Sequence, residues 1–267
     1  MRGLENMSEE LTKSDMQMLK NRLKVEWTYR SNAIEGNTIS LGDTAFIIEY
    51  GLTIKGKSIT EHNEVIGHAK AVDLVYELIK KENINKEDLF LLHKAVQTNL
   101  VFDIECPIGA YKVVANARYV SKGGKLEHMY YPLPEHTPYL MELFFDTFAN
   151  FTEPLGSFER CVERYTDMHI AFSSIHPFFD GNGRVARLIA NIPLLKNGYL
   201  PIIINNEERQ EYIELLSNYN IHTKPLNDKT TQLLEKNEFY ESLFEFFKAQ
   251  YKNTQLLLDE IKNSRNG

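Results

Sequence analysis

The sequence predicts a mainly α-helical fold with one β-hairpin. Glycine and proline are sparse, at 14 and 9 of 267 residues, and apolar residues recur at three- and four-residue spacing along most of the chain. One region, residues 109–132, instead has two short strand-like runs around a Gly-Gly turn, which is typical of a hairpin. A lone hairpin is not stable in water, so we expect it to pack against the helices.

Helical periodicity and capping residues predict the order of the elements. Thr60 and Ser157 are predicted N-caps, because a hydroxyl can accept from the unpaired backbone N–H groups at a helix start. Pro193 predicts a kink inside an apolar helix. Residues 201–204 are predicted to be an extended connector, whereas 220–236 are polar and have no assignable period. Helices are predicted over residues 11–30, 43–52, 60–82, 86–100, 134–150, 157–175, 183–196, 207–219 and 237–261.

Composition and charge restrict the class of protein. We expect one compact domain, with residues 1–37 forming an N-terminal helical segment on a core of residues 38–267. The net charge of −7 argues against a general nucleic-acid binder, which usually presents a basic face. No apolar run reaches the roughly 18 residues that span a bilayer, and no signal peptide is evident. Cys106 and Cys161 fit reduced thiols. The expectation is a cytoplasmic protein with no nucleic-acid or membrane partner.

Residues 176–187, with the sequence HPFFDGNGRVAR, form the segment richest in reactive side chains. They lie between two apolar helical patterns, so they should form a loop that leads into a helix N-terminus. Unpaired N–H groups and the helix dipole favour an anion at such a position. Gly181 and Gly183 let the backbone turn sharply and approach a ligand closely. These features predict a phosphate-binding loop.

Four side chains of this loop suit phosphate chemistry. Arg184 and Arg187 lie on one helix face and offer planar guanidinium groups to phosphate oxygens. Asp180 is compatible with phosphates if Mg²⁺ bridges the two. His176 can act as a general base near neutral pH. Together they predict transfer of a phosphate-containing group to a hydroxyl.

The same twelve residues resemble the signature of the Fic (Fido) family, H-x-F-x-[D/E]-G-N-G-R-x-x-R, at every specified position. The resemblance implies a mainly helical Fic fold that moves AMP from ATP to a Ser, Thr or Tyr hydroxyl of a target protein. It implies that His176 is the base and that Asp180 holds Mg²⁺. It further implies that Gly181, Asn182 and Gly183 form an anion hole, that Arg184 contacts the β- and γ-phosphates, and that Arg187 stabilises the γ-phosphate.

The resemblance extends to three other features. It implies that the hairpin at residues 112–131 is a flap that docks the target segment by strand pairing, a mode that holds a backbone in register without reading its sequence. It also implies that Tyr212 and Asn220 contact the nucleoside. Proteins of this type often dimerise, so a homodimer is expected as well.

An upstream segment, SNAIEGN at residues 31–37, resembles the inhibitory motif [S/T]-x-x-x-E-[G/N] of the same family. Ser31 and Gly36 match its polar first position and its last position, and Glu35 matches its glutamate. A carboxylate at Glu35 could pair with Arg187 and so occupy the side chain expected to hold the γ-phosphate. The N-terminal location implies the intramolecular, class II arrangement.

Other readings remain open at this level. A Fic-type enzyme could use another donor such as UTP, because the motif does not determine the base. The same glutamate could serve removal of AMP from the modified target. A non-catalytic regulatory or binding protein is the third reading, although His176, Asp180 and Arg184 are all retained.

Overall fold

The computed structural model describes residues 11–98, 104–122, 125–149 and 155–263. Over these residues the structure is mainly helical and contains one antiparallel hairpin, as predicted. The helices before the hairpin are α1 (Lys13–Ile34), α2 (Leu41–Tyr50), α3 (Ile59–Leu78) and α4 (Lys86–Val96); the hairpin is β1 (Ala117–Lys122) and β2 (Lys125–Tyr130); the later helices are α5 (Thr137–Thr147), α6 (Phe158–Ile175), α7 (Asn182–Ile189), α8 (Ile192–Lys196), α9 (Arg209–Ile221) and α10 (Glu238–Asn263).

Several predicted segments reach outside the described residues. These are the Gly123-Gly124 turn, residues 99 and 100 of the fourth predicted helix, and residue 150 of the fifth. The predicted division into residues 1–37 and 38–267 also includes residues 1–10 and 264–267, which lie outside the described part. That division itself stays a prediction. In the described part of the chain, no helix is both long enough and apolar enough to cross a membrane.

Side-chain caps determine where the helices begin. Ser157 caps α6, as predicted, and accepts from the backbone N–H of Arg160. The prediction of Thr60 as a cap is wrong, because α3 already begins at Ile59. Its cap is Ser58, whose hydroxyl accepts from Glu61 N–H while the Glu61 carboxylate accepts from Ser58 N–H. This reciprocal pair satisfies two otherwise free donors, which a cap at Thr60 would not.

The apolar helix predicted over residues 183–196 is two helices rather than one kinked helix. Pro193 lies in the first turn of α8, where the missing N–H costs nothing. Asn191 lies at the break, where its amide donates to the carbonyls of Arg187 and Ile202 at 2.9 Å and accepts from Ile202 N–H at 2.6 Å. The buried amide therefore replaces hydrogen bonds that the interrupted helix has lost, and ties the extended segment at 201–204 to α7.

The core is centred on α6 and α7, whose inward side chains are fully buried. Helix α1 belongs to the same core through Leu19, Leu23 and Trp27. It packs against α3 and α10, and it extends four residues beyond the predicted end to Ile34, with Glu35 as its C-cap. Because α1 is anchored along its length, Glu35 is carried to a defined place in the molecule.

Replacing Asn191 with Ala should strongly destabilise the protein. The change leaves buried backbone groups of Arg187 and Ile202 without partners, at about 1–3 kcal/mol for each unsatisfied group. Urea unfolding should show a lower free energy of unfolding, by about 3 kcal/mol. Asn21→Ala, on the exposed face of α1, is the control and should change stability by less than about 0.5 kcal/mol. Equal stability of the two variants would contradict the bridging role of Asn191.

Candidate active site

The motif loop, residues 176–181, connects α6 to α7. Its first residue, His176, ends α6 with φ = 52°, the one positive φ of a non-glycine residue in the described chain. Its last residue, Gly181, has φ = 77°. A left-handed conformation is costly for a residue with a Cβ, and such strain persists only where the surroundings enforce it. The loop is therefore held by its neighbours, and four sets of contacts do so.

The first contact lies within the loop. The Asn182 amide accepts from Phe178 N–H at 2.9 Å and donates to the Phe178 carbonyl at 2.8 Å. Asn182 is buried, so its side chain shapes the loop from inside. Its backbone N–H lies in the first turn of α7, where a helix leaves its donors without intrahelical partners. The predicted place of Asn182 in an anion hole thus depends on its main chain.

The second contact comes from α4, which the sequence did not mark as part of the site. The His93 ring stacks on Phe178 at 3.8 Å between ring centroids, and its Nε2–H donates to the Asp180 carbonyl at 3.0 Å. Its Nδ1 accepts from Gly109 N–H at 2.9 Å, which requires a neutral ring. Burial lowers the pKa of His93 to about 4. Its only sequence signal was its place on the apolar stripe of a helix.

Gln97, one turn after His93, donates to Asp180 Oδ2 at 2.9 Å. This bond also limits Gly181, because a Cβ added there would lie 2.7 Å from the Gln97 amide nitrogen. The Asp180 side chain is 64 % exposed. Burial would raise the pKa of its carboxyl, but Gln97, Arg184 and the Gly181 N–H outweigh that effect and lower it. Asp180 is therefore an accessible carboxylate held in one orientation.

The third contact comes from the segment that leads into the hairpin. Lys112 N–H donates to the Pro177 carbonyl at 2.9 Å. The Asn116 amide donates to the carbonyls of Phe178 and Phe179, and it accepts from Lys112 Nζ at 2.9 Å. Lys112 is buried, and burial lowers its pKa to about 8. The base of the flap and the motif loop are thus hydrogen bonded as one unit.

The fourth contact is made by Tyr131, directly after β2. Its ring stacks on His176 with 3.6 Å between centroids and 10° between planes, and its N–H donates to the Asn116 carbonyl. The guanidinium of Arg118 lies 5.7 Å from the centre of the same ring. A stacked neighbour restricts the imidazole to a narrow range of orientations. Tyr131 was predicted only as part of the flap at 112–131, and its contact with His176 was not predicted.

The electrostatic surroundings of His176 favour the neutral ring. Burial, followed by the charge of Lys112, lowers its pKa to about 3, although a backbone hydrogen bond to Ser173 opposes the shift. Arg118 acts in the same direction as Lys112. The imidazole is therefore ready to accept a proton at neutral pH, in a site whose positive charge disfavours protonation until negative charge enters.

Arg187 lies in α7 and is almost fully buried. Its Nη2 donates to Glu35 Oε1 at 2.6 Å and to the Ser31 carbonyl at 2.9 Å, and its Nε donates to Ser31 Oγ at 3.0 Å. The Glu35 side chain is 39 % exposed, against 4 % for Arg187. Burial would lower the pKa of Arg187, but Glu35 and Tyr212 more than offset it. The structure thus brings the upstream motif onto the arginine that the sequence assigned to it.

Gly183 makes this approach possible. A Cβ at that position would lie 2.6 Å from Glu35 Oε1 and 3.2 Å from Arg187 Nη1. The carboxylate therefore occupies the space directly above the first turn of α7. A phosphate that used the same helix N-terminus would compete with Glu35 for it.

Arg184 has much weaker partners than Arg187. Its Nη1 lies 3.5 Å from Glu64 Oε1 and its Nη2 lies 3.5 Å from Asp180 Oδ2. Its Nε has no hydrogen-bond partner within the described residues. A guanidinium with poorly satisfied donors is well suited to donate to phosphate oxygens.

Tyr212 and Asn220 lie on α9 but face different surroundings. Tyr212 is buried, and its hydroxyl lies 3.4 Å from Arg187 Nη1 and 3.0 Å from His169 Nε2. Asn220 lines a cavity of about 900 Å³ together with Tyr131 and Arg118. Its amide accepts from Ser174 Oγ at 2.8 Å. Nucleoside contacts stay a prediction for both residues, and the buried ring of Tyr212 turns its polar end toward Arg187.

The residues present fit a magnesium ion bound together with a substrate. Asp180 supplies one exposed, oriented carboxylate, and Mg²⁺ in such sites uses one or two carboxylates plus phosphate oxygens. Over the described ranges no three His, Cys, Asp or Glu side chains cluster as a self-contained metal site. An ion here would therefore depend on the phosphates for most of its ligands.

Comparison with known proteins finds a family model and curated relatives to which this chain is similar. Residues 83–194 match the model of the Fic/DOC family. The chain is 35 % identical to protein adenylyltransferase fic-1 of Caenorhabditis elegans over 70 % of its own length and 34 % of that protein. It is 34 % identical to protein adenylyltransferase Fic of Nematostella vectensis over 72 % of its length and 42 % of that protein. The chain thus spans between a third and a half of these curated relatives.

Solved structures give the same result for the fold. A Fic domain-containing signaling protein from Bacteroides thetaiotaomicron superimposes with a TM-score of 0.83 at 22 % identity, over 97 % of this chain and 94 % of the other. Fic-1 from C. elegans, residues 134–508 with the substitution E274G, gives a TM-score of 0.74 at 27 % identity, over 98 % and 70 %. The predicted Fic fold with one hairpin is confirmed.

Replacing Tyr131 should show whether the stacked ring orients the base. Tyr131→Phe keeps the ring and should retain activity within about twofold, whereas Tyr131→Leu removes the stack and should lower kcat about tenfold or more. Labelling rates at saturating nucleotide measure the effect, with thermal unfolding as the check on folding. If Tyr131→Leu and Tyr131→Phe have equal kcat, the stack does not position His176.

The buried neutral histidines predict loss of stability on acidification. The pKa is about 4 for His93 and about 3 for His169, in both cases mainly because of burial. The unfolded chain binds these protons near pH 6.5, so it holds more protons than the folded chain between about pH 6.5 and pH 4. Stability should therefore be complete above about pH 6.5 and should decrease as the pH falls, by about 1.4 kcal/mol per pH unit for each histidine.

Urea unfolding at several pH values measures this slope. His169→Gln should reduce it by about one proton equivalent, whereas His222→Gln, at an exposed position, should leave it unchanged. A stability that is independent of pH across this window would show that these histidines are not held neutral.

Proposed function

Because the chain contains a Fic/DOC-family domain, we propose that it is a protein adenylyltransferase that transfers AMP from ATP to a Ser, Thr or Tyr hydroxyl of a target protein. The observation that carries the proposal is the constellation at one helix N-terminus. A neutral imidazole at His176, an accessible carboxylate at Asp180 and a weakly partnered guanidinium at Arg184 all belong to one braced loop. The adenylyltransferase relatives support the same activity at the level of the family.

In the proposed reaction, His176 accepts the proton of the target hydroxyl. The hydroxyl oxygen forms a bond to the α-phosphorus of ATP, the bond from that phosphorus to the departing pyrophosphate breaks, and the proton stays on the imidazole. A His176 pKa of about 3 makes a weak base. The negative charge of bound phosphates would raise that pKa toward neutrality, so the base gains strength when the nucleotide is in place.

The phosphate chain is proposed to lie against the start of α7. The backbone N–H groups of residues 181–183 and the guanidinium of Arg184 provide donors for its oxygens. Asp180 would hold Mg²⁺, which neutralises charge on the phosphates when bound. Asn220 is proposed to contact the nucleoside, because it lines the cavity beside Tyr131.

Glu35 is proposed to inhibit the enzyme. It occupies Arg187 Nη2 at 2.6 Å and fills the space above Gly183, so ATP cannot place its γ-phosphate there without displacing the carboxylate. Because Glu35 is partly exposed, its carboxylate is the mobile partner and Arg187 the fixed one. The resting protein would thus bind nucleotide poorly or in an unproductive position.

The flap at residues 112–131 is proposed to dock the target segment. Its two strands pair antiparallel, with Arg118 opposite Met129 and Tyr119 opposite His128, and their outer edges can accept a further strand. Tyr119 and Tyr130 are exposed on this hairpin. Docking on a flap whose base is hydrogen bonded to the motif loop would bring a target hydroxyl next to His176.

Self-association is also proposed. Phe46 and Tyr50 on α2, together with Leu52 and Ile59, expose apolar side chains in neighbouring parts of the chain, and a second copy could cover them. The proposed location of the protein is the cytoplasm.

Substitution of Glu35 and His176 tests the proposed function. Glu35→Gly should raise self-labelling with ATP and Mg²⁺ by about ten- to hundredfold, because a charge-assisted competitor is removed. His176→Ala should abolish labelling in either background. Intact mass spectrometry measures the group added, with each of the four nucleoside triphosphates offered separately.

Glu77→Gly is the matched control, since it removes a surface carboxylate that pairs only with Lys80 in the described structure, and it should leave labelling unchanged. Equal labelling of Glu35→Gly and the unaltered protein would exclude inhibition by Glu35. Labelling that persists in His176→Ala would exclude His176 as the base, and a mass other than that of AMP would change the donor.

A further inference from the structure

A chain of hydrogen bonds runs from Arg187 into the core, on the side opposite Glu35. Arg187 Nη1 donates to the Tyr212 hydroxyl at 3.4 Å, and that hydroxyl lies 3.0 Å from His169 Nε2. All three side chains are buried. A guanidinium can only donate, so the tyrosine oxygen accepts from Arg187, and its own proton can be donated to His169 Nε2. With Nε2 as the acceptor, the chain runs from Arg187 through the Tyr212 hydroxyl to His169.

This direction requires a neutral His169 with an unprotonated Nε2. Burial, followed by the charge of Arg187, lowers its pKa to about 3, which keeps the ring neutral at any physiological pH. The proton then resides on Nδ1, which has no partner among the described residues. An unpaired buried polar atom is unfavourable, and an apolar side chain would avoid it. Unlike an apolar side chain, His169 provides an acceptor at Nε2 for the Tyr212 hydroxyl.

None of the bonds in this chain involves Glu35, so the chain should persist in a Glu35→Gly protein. Arg187 loses its carboxylate, but Nε and Nη2 keep their bonds to Ser31, and Nη1 keeps its bond to Tyr212. The guanidinium would therefore stay beside Gly183, and the Nη2 donor that faced Glu35 Oε1 would be open. A ligand oxygen can take that position without any movement of the arginine.

We propose that Tyr212 and His169 are positioning residues that hold Arg187 for the γ-phosphate of ATP. The proposal rests on the proposed function and adds the residues that preorganise its phosphate site. It replaces the expected contact of Tyr212 with the nucleoside by a contact with Arg187. A purely structural role would depend on the Tyr212 ring, which lies near Phe246 and Phe247, and not on its hydroxyl.

The test removes the hydroxyl alone, in the Glu35→Gly protein. Tyr212→Phe keeps the ring, and calorimetry measures the affinity for ATP and for ADP, each with Mg²⁺. ATP affinity should fall about tenfold, which is the effect of losing one hydrogen bond to a charged group. ADP affinity should stay within about twofold, because ADP lacks the γ-phosphate that Arg187 is proposed to hold. Labelling kinetics should show a higher KM for ATP and little change in kcat.

Tyr165→Phe is the matched control. Tyr165 is a buried tyrosine one turn before His169, and its hydroxyl has no partner among the described residues. Its removal deletes the same atom from the same core and should leave the ratio of ATP to ADP affinity unchanged.

Two substitutions at His169 provide a second, independent test. His169→Gln can offer an amide oxygen near the place of Nε2 and should keep ATP affinity within about threefold, whereas His169→Leu removes the acceptor and should behave like Tyr212→Phe. Thermal unfolding of each variant separates folding from binding, and this pair carries the test if Tyr212→Phe does not fold.

Equal losses of ATP and ADP affinity in Tyr212→Phe, or no loss of either, would overturn the positioning role. So would equal behaviour of His169→Gln and His169→Leu. Failure of the Glu35→Gly parent itself to bind ATP is a different result, since it overturns the proposed function and the positioning role with it.

Discussion

The buried guanidinium of Arg187 is the constraint on which the rest of the site depends. A charge in the core must have its donors satisfied, and the partners of Arg187 come from separate parts of the chain. Ser31 and Glu35 arrive from the end of α1, and Tyr212 arrives from α9. The packing of α1 and the hydrogen bonding of Arg187 are therefore coupled. If α1 moved away from the core, the buried guanidinium would lose its partners Ser31 and Glu35.

Arg184 and Arg187 are three residues apart in the motif, but their guanidinium groups differ in how many hydrogen-bond partners they have. Arg187 has every nitrogen occupied, whereas Arg184 has two contacts at 3.5 Å and an unpaired Nε. The proposed competition by Glu35 would thus act on one end of a phosphate chain and leave the other end available. In the proposed scheme a nucleotide engages Arg184 first and then displaces Glu35, so inhibition would result from occupation of Arg187 and not from closure of the site.

Much of this fold followed from local sequence patterns, and much of the site did not. Caps such as Ser157 and the motif loop depend on neighbouring residues, so a single sequence predicts them. His93, Gln97 and Lys112 support the loop from other elements, and on a helical stripe or beside a hairpin they look like ordinary core or surface residues. Tyr212 has the same difficulty, because its polar end is directed by a tertiary contact. The break at Asn191 was missed because the amide that stabilises it bonds to Ile202, nine positions beyond the kink expected at Pro193.

The contacts that hold the motif loop also explain how His176, the proposed base, could act with a pKa of about 3. Tyr131 holds the ring of His176 in one orientation, while Lys112 and Arg118 keep it unprotonated. The positive charges of Lys112 and Arg118 disfavour the imidazolium and would also attract phosphates. Binding of the nucleotide would offset these charges and so raise the pKa of His176. Packing against Tyr131 orients the His176 ring before a substrate binds. In the proposed reaction, the charge of the bound nucleotide then raises the pKa of that ring. The motif loop therefore needs no conformational change of its own in the proposed reaction: the phosphates of the nucleotide supply the negative charge at the start of α7, once they have displaced Glu35.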